Sequence, residues 1–302
     1  MPTLAPLPDI LVLAAGGVLG EAWMSGVLAG VEDATGVDFR DVETFVGTSA
    51  GSIVAAHLAG GRKPRRPRGG EKGGDPGFVQ DAPGRSRGGD LVRSMARLAA
   101  VPFAPPALAL GAPGGALVRR AALAALPDGR RDLNHLHREV ERSGVRFDGR
   151  LRVCTVDKGS GRRVVFGAPG APEASVADAV AASCSIPSVF RPVRIGGREY
   201  VDGGAWSLTN LDAAPAGRGS EVLCLHPSGS LGVAVSSPWG AVRAAAAAAA
   251  ELEALALRAR GAHVRIVGPS GDAADLMGTN LMDPGPATRV HAAGYRQGQN
   301  LT

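Results

Sequence analysis

The 302-residue chain is 45% apolar and 20% charged, carries a net charge of +5 and uses few aromatics, at 4%. That composition describes a soluble globular protein long enough for a sizeable core. Its scattered Cys154, Cys184 and Cys224 argue against a disulfide framework or a metal site and fit a reducing compartment. Residues 1–8 lack the basic start of a secretory signal, and no apolar run reaches the ~18–20 residues of a membrane span. The expected location is the cytoplasm, with room for peripheral contact with a membrane.

Residues 9–15 (DILVLAA) are a continuous apolar run with β-branched members, the pattern of a buried parallel strand. They lead into Gly16-Gly17-Val18-Leu19-Gly20, and residues 21–34 then show helical periodicity through Trp23, Met24, Val27, Leu28 and Val31. A glycine-rich turn between strand and helix presents backbone amides to an anion. A dinucleotide fingerprint competes for this turn, but Ala15 stands where its first glycine belongs, and Asp38 and Asp41 fall before the next strand. A second strand over 42–46 runs into Gly47-Thr48-Ser49-Ala50-Gly51, a G-x-S-x-G elbow, followed by a helix over about 50–57. In a parallel sheet both turns open at the carboxyl ends of their strands. A candidate nucleophile, Ser49, would then lie beside the amides of Gly16, Gly17 and Val18, a candidate oxyanion hole.

The positive charge is local. Residues 61–90 hold eight basic and four acidic side chains, a net +4 that leaves +1 for the rest. Rich in Gly and Pro and poor in large apolar residues, this stretch is expected to be a disordered insertion, and no nucleic-acid partner is expected. Residues 91–126 are apolar but broken by proline and glycine, which suggests short helices forming a cap, one of them over 116–125. Downstream, an amphipathic helix is expected over 132–143, a hairpin over 151–156 and 163–166, and an alanine-rich helix over 175–183. A strand over 199–201 ends in Asp202-Gly203-Gly204. A strand over 221–226, a long helix over about 239–260, a strand over 264–267 and a short helix over about 287–297 complete the chain. No residue cluster calls for a metal or another cofactor.

An activated serine needs a base. His57 lies about two helical turns beyond Ser49, and His135 and His137 occupy a polar helical face. The order Ser…Asp…His could pair Asp202 with His226, His263 or His291, but that fold needs several strands before its elbow and only two fit here. Asp202 itself is the more economical base: it ends an apolar strand, and Gly203 and Gly204 leave its carboxylate in an open cleft. A carboxylate is a weak base toward a serine hydroxyl unless burial raises its pKa or the transition-state charge is well stabilised, which the two glycine turns could supply.

Four blocks in order resemble those of the patatin-like phospholipases. Residues 16–20 are similar to that family's oxyanion loop (with Gly20 as its last glycine), and residues 47–51 to its elbow, with Gly47 and Gly51 as the bracketing glycines. Residues 181–193 resemble the segment before its last catalytic strand. Asp202-Gly203-Gly204 resembles its aspartate block, with Asn210 where the family usually has an asparagine. Ala15 and Leu19 depart from the usual glycine and from the usual Arg or Lys. The resemblance implies one three-layer α/β domain over 1–302, with a mostly parallel sheet between helical layers. It implies a Ser49–Asp202 dyad that hydrolyses lipid acyl esters through an acyl-enzyme, without a cofactor. An acyltransferase using the same dyad, or a non-catalytic lipid-binding protein of the same fold, are the alternatives.

Overall fold

A computed structural model describes residues 7–67, 113–229 and 238–301 of the chain. Its centre is a mixed sheet. Strand β1 (Ile10–Leu13) pairs in parallel with β2 (Thr44–Thr48) on one side and with β7 (Glu221–Leu225) on the other, and β8 (His263–Val267) extends β7. Strand β3 (Leu151–Asp157) lies parallel to β2, while β4 (Arg163–Phe166) and β6 (Arg198–Asp202) pair with it antiparallel; β5 (Val193–Ile195) forms a hairpin with β6. The sheet is thus mostly parallel, with helices on both faces.

Period-two burial assigns those faces. Leu11, Leu13, Phe45, Leu223 and Leu225 join a core with helices α1 (Gly17–Thr35), α2 (Ala50–Ala59), α5 (Val176–Ser183) and α8 (Ala287–Gln299). Ile10, Val12, Val46, Cys154 and Cys224 point the other way, toward Ala254 and Leu257 of α6 (Pro238–Arg258). A strand buried on both faces must be apolar throughout, which is why residues 9–15 show no alternation.

The registers carry a less obvious consequence. Val153 of β3 pairs with both Gly47 and Phe166, so β2 and β4 occupy opposite edges of β3. Thr155 pairs with both Val164 and Asp202, so β6 lies opposite β4 and therefore on the same edge as β2. Strands β2 and β6 meet end to end along that edge. Thr48 pairs with Cys154 and Asp202 with the next residue, Thr155.

Helix α1 starts four residues before the expected position, at Gly17, so the glycine-rich turn becomes its first turn. It crosses α8 at backbone contact distance. A side-chain carbon at Gly26 or Gly30 would overlap the carbonyls of His291 or Tyr295, and one at Gly298 would overlap that of Val27. Helix α7 (Gly271–Met277), not expected from the sequence, precedes α8.

Residues 61–67, expected to begin the insertion, instead lie along α1 and its neighbours. Arg66 pairs with Glu32 at 2.8 Å and Asp33 at 2.9 Å, and Arg65 with Glu21 at 3.5 Å. His291 Nε2 lies 3.0 Å from the Arg65 carbonyl. Residues 68–90 of the expected insertion and 91–112 of the expected cap lie outside the described residues. The rest of the cap is helix α3 (Pro113–Ala125), three residues longer than expected. Helix α4 (Asn134–Arg142) follows, its buried Leu136 and Val140 against the core.

Candidate active site

Strand β2 delivers Ser49 into a backbone conformation of φ 52° and ψ −125°, a left-handed turn that a side chain adopts only under strain. Gly51 permits the turn because a side-chain carbon there would overlap the Leu13 carbonyl of β1. Gly47 likewise lies against the backbone of Ser52. Ser49 is 6% exposed and Asp202 5%, so both face the interior, and the Asp202 carboxylate is buried rather than set in the open cleft expected.

Asp202 arrives from the opposite direction, at the end of β6. Its Oδ1 accepts the Gly204 amide at 2.7 Å, and its own amide donates to the Ser185 carbonyl at 3.0 Å. Gly203 lies so close to the Cys154 carbonyl that no side chain would fit. Burial pushes the Asp202 carboxyl up to about 7, while the Gly204 amide and the neighbouring Ser49 side chain pull it down. The raised value is the one a carboxylate needs to accept a proton near neutral pH.

The candidate third part is the first turn of α1. The amides of Gly16, Gly17 and Val18 precede any acceptor that α1 could offer them. The next two are engaged: Leu19 donates to the Leu281 carbonyl at 3.0 Å and Gly20 to the Gly16 carbonyl at 2.9 Å. Gly16 packs on Pro227, where an added carbon would come within 2.7 Å, and Gly17 (φ 59°) packs on Leu281 and Met282. The helix N-terminus and its amides favour negative charge at this end.

Over residues 11–215 the chain matches the family described as patatin-like phospholipase. The chain belongs to that family. Its fold can be laid on the crystal structure of VipD from Legionella pneumophila, at 16% identity and a TM-score of 0.45, over 98% of this chain and 67% of that one. No curated protein matches it.

Of the residues that brace this candidate site, Asn210 is marked in the sequence by the family resemblance, whereas Glu253, Arg163 and Arg119 carry no signal there. Asn210, fully buried at φ 47°, donates from Nδ2 to Thr48 Oγ1 at 3.1 Å and to the Gly203 and Ser207 carbonyls at 3.2 and 2.6 Å. It ties the end of β2 to the turn after Asp202. Glu253, buried on α6, accepts from Thr209 Oγ1 at 2.5 Å and from the Leu211 amide at 2.7 Å, fixing the turn that carries Asn210. Arg163 pairs with Asp212 through both terminal guanidinium nitrogens, at 2.5 and 2.9 Å. Helix α3 docks on the same turn: Arg119 donates to the Ala205 carbonyl at 3.0 Å, its guanidinium lying 4.1 Å from the centre of the Trp206 ring. Replacing Asn210 with Ala removes its hydrogen bonds to Thr48, Gly203 and Ser207 inside the fold and is expected to cost about 3 kcal/mol. The urea midpoint reads this loss; an unchanged midpoint would leave Asn210 without a structural role.

The histidines are engaged or buried elsewhere. His57 lies 3.8 Å from Glu139, and burial pushes it down to about 4. His226, directly after β7, is also pushed down to about 4, and its Nε2 has no partner among the described residues. His263 pairs with Glu221 at 2.6 Å, and His291 faces the Arg65 carbonyl. No group of three or more His, Cys, Asp or Glu able to hold a metal ion occurs among the described residues. None of their helices is long and apolar enough to cross a membrane.

Proposed function

We propose that this chain is a lipid acyl hydrolase working through a Ser49–Asp202 dyad. The observation that carries the reading is a serine on a left-handed elbow at the end of β2, with a buried carboxylate, Asp202, ending β6 beside it on the same edge of β3 and lifted by burial to about 7. Ser49 Oγ attacks the ester carbonyl and its proton passes to Asp202. The new oxyanion lies against the amides of Gly16, Gly17 and Val18, where fixed dipoles stabilise it without reorganisation. Collapse of the tetrahedral intermediate breaks the ester C–O bond, and Asp202 returns the proton to the leaving alcohol. Water, deprotonated by Asp202, then attacks the acyl-enzyme and frees the acid and Ser49. The substrate is an acyl ester of a lipid, presented from solution or from a membrane surface.

One feature favours a non-catalytic lipid binder instead. Leu19 brings no positive side chain to the glycine loop, and its amide is held by Leu281. A fluorophosphonate probe, which phosphonylates an activated serine, separates the two readings. Wild type is expected to label, while Ser49→Ala and Asp202→Asn are not. Absence of label on wild type would favour the binder, and label surviving in Asp202→Asn would point to another base. If the acyl-enzyme is passed to an alcohol rather than to water, product analysis with added glycerol will show transesterification.

A further inference from the structure

We propose that Ser183 is a positioning residue for the nucleophile, acting through a hydroxyl spliced into the ladder between β2 and β3. The inference rests on Ser49 being that nucleophile. The last residue pair of the two strands is Thr48 with Cys154. Beyond it the chain leaves the sheet at Ser49, and the same edge of β3 is taken over by β6, starting from the pair of Asp202 with Thr155. At this junction the Ser49 amide and the Cys154 carbonyl need partners that no strand supplies. The Ser183 hydroxyl serves both. It donates to the Cys154 carbonyl at 2.7 Å and accepts the Ser49 amide at 2.8 Å.

The direction of the bridge is unambiguous. A hydroxyl has one proton, and Ser183 commits it to a carbonyl that can only accept; a lone pair is left for an amide that can only donate. Ser183 is fully buried at the end of α5, so water cannot replace it without a cavity. The bridge therefore fixes the amide side of a residue whose φ is strained, and with it the direction in which the Ser49 side chain leaves the backbone. It also keeps the Ser49 amide away from an oxyanion, leaving that task to the glycine loop. Neighbouring Cys184 adds packing, its thiol 3.9 Å from Ser52 Oγ.

The test uses the full-length protein and two readouts. The first is hydrogen exchange of the Ser49 amide relative to that of Phe45, which donates to the Arg150 carbonyl on the same strand. In Ser183→Ala the Ser49 amide is expected to exchange at least 100-fold faster relative to Phe45, and Ser183→Thr, which keeps the hydroxyl, to restore protection. The second is fluorophosphonate labelling and ester hydrolysis. Ser183→Ala is expected to lose at least tenfold in labelling rate and kcat with KM little changed, whereas Val140→Ala, a core truncation on α4, loses stability but labels at the wild-type rate. Unchanged Ser49 protection in Ser183→Ala overturns the bridge, and faster exchange with unchanged labelling overturns its positioning role. Should wild type itself fail to label, the hydrolase reading falls, and the exchange measurement still decides the bridge.

Discussion

Asp202→Asn is expected to slow turnover severely and, above neutral pH, to make the protein more stable. The loss in kcat/KM should be about 10²- to 10⁴-fold, the range for removing a positioned general base. The gain follows from proton linkage. The carboxyl goes from 3.8 in its ordinary state to about 7 in the fold, so the folded protein holds its proton more tightly than the unfolded chain. Stability is therefore free of penalty below about pH 3.8, falls as pH rises, and carries the full penalty above about pH 7. A shift of about three units amounts to about 4 kcal/mol. Asparagine keeps an oxygen for the Gly204 amide and has no charge to bury. Urea unfolding of wild type and Asp202→Asn should coincide near pH 4 and diverge by several kcal/mol at pH 8.5, the variant being the more stable. The same proton sets the rate: log kcat/KM of wild type should rise with unit slope up to about pH 7 and then level. A variant less stable at pH 8.5 would mean that the carboxylate is held by favourable contacts rather than strained by burial.

The second large effect is expected far from Ser49 and Asp202, at Gly30→Val. The added carbon would overlap the Tyr295 carbonyl of α8, so the two helices must separate along a contact that also includes Gly26, Gly294 and Gly298. Overpacking of this kind, against backbone that cannot rotate away, should cost on the order of 3–5 kcal/mol. Gly217→Ala, where an added carbon meets nothing within 4 Å, is the matched control and should be nearly neutral. Because the first turn of α1 is the glycine loop itself, a displaced α1 should also slow fluorophosphonate labelling of the protein that remains folded. Thermal unfolding gives the first number and labelling the second; a Gly30→Val protein with wild-type values in both would mean that α8 is free to slide.

Much of this arrangement is legible in the chain because glycine marks it. The strands ending at Leu13, Thr48 and Asp202 each run into glycines that close backbone approach demands, and the elbow, the loop and the aspartate turn can be read from them. Residues whose role depends on a distant partner carry no such mark. Ser183 reads as one more small residue at the end of an alanine-rich helix, since its acceptor lies 29 positions away on β3. Glu253 sits in an alanine-rich helix where an acid reads as solvated, and the turn it caps is 42–44 residues upstream. Residues 61–67 look like the start of an unstructured segment because the acids that hold them, Glu21, Glu32 and Asp33, belong to α1. The end-to-end meeting of β2 and β6 is a property of pairing registers, which local pattern does not specify.

The α1–α8 contact also sets a schedule for the ribosome. Helix α1 is complete once residue 35 has been added, but its glycine-lined face has no partner until residues 287–299 have been added. At ~5–20 residues per second that is a wait of roughly 15–50 s. During this interval Trp23, Val27 and their neighbours must be shielded by other means, and the amides of the first turn have no rigid support. The nascent chain can bring the ends of β2 and β6 together before the glycine loop is braced, so under the proposed mechanism activity should appear with α8 rather than with Asp202.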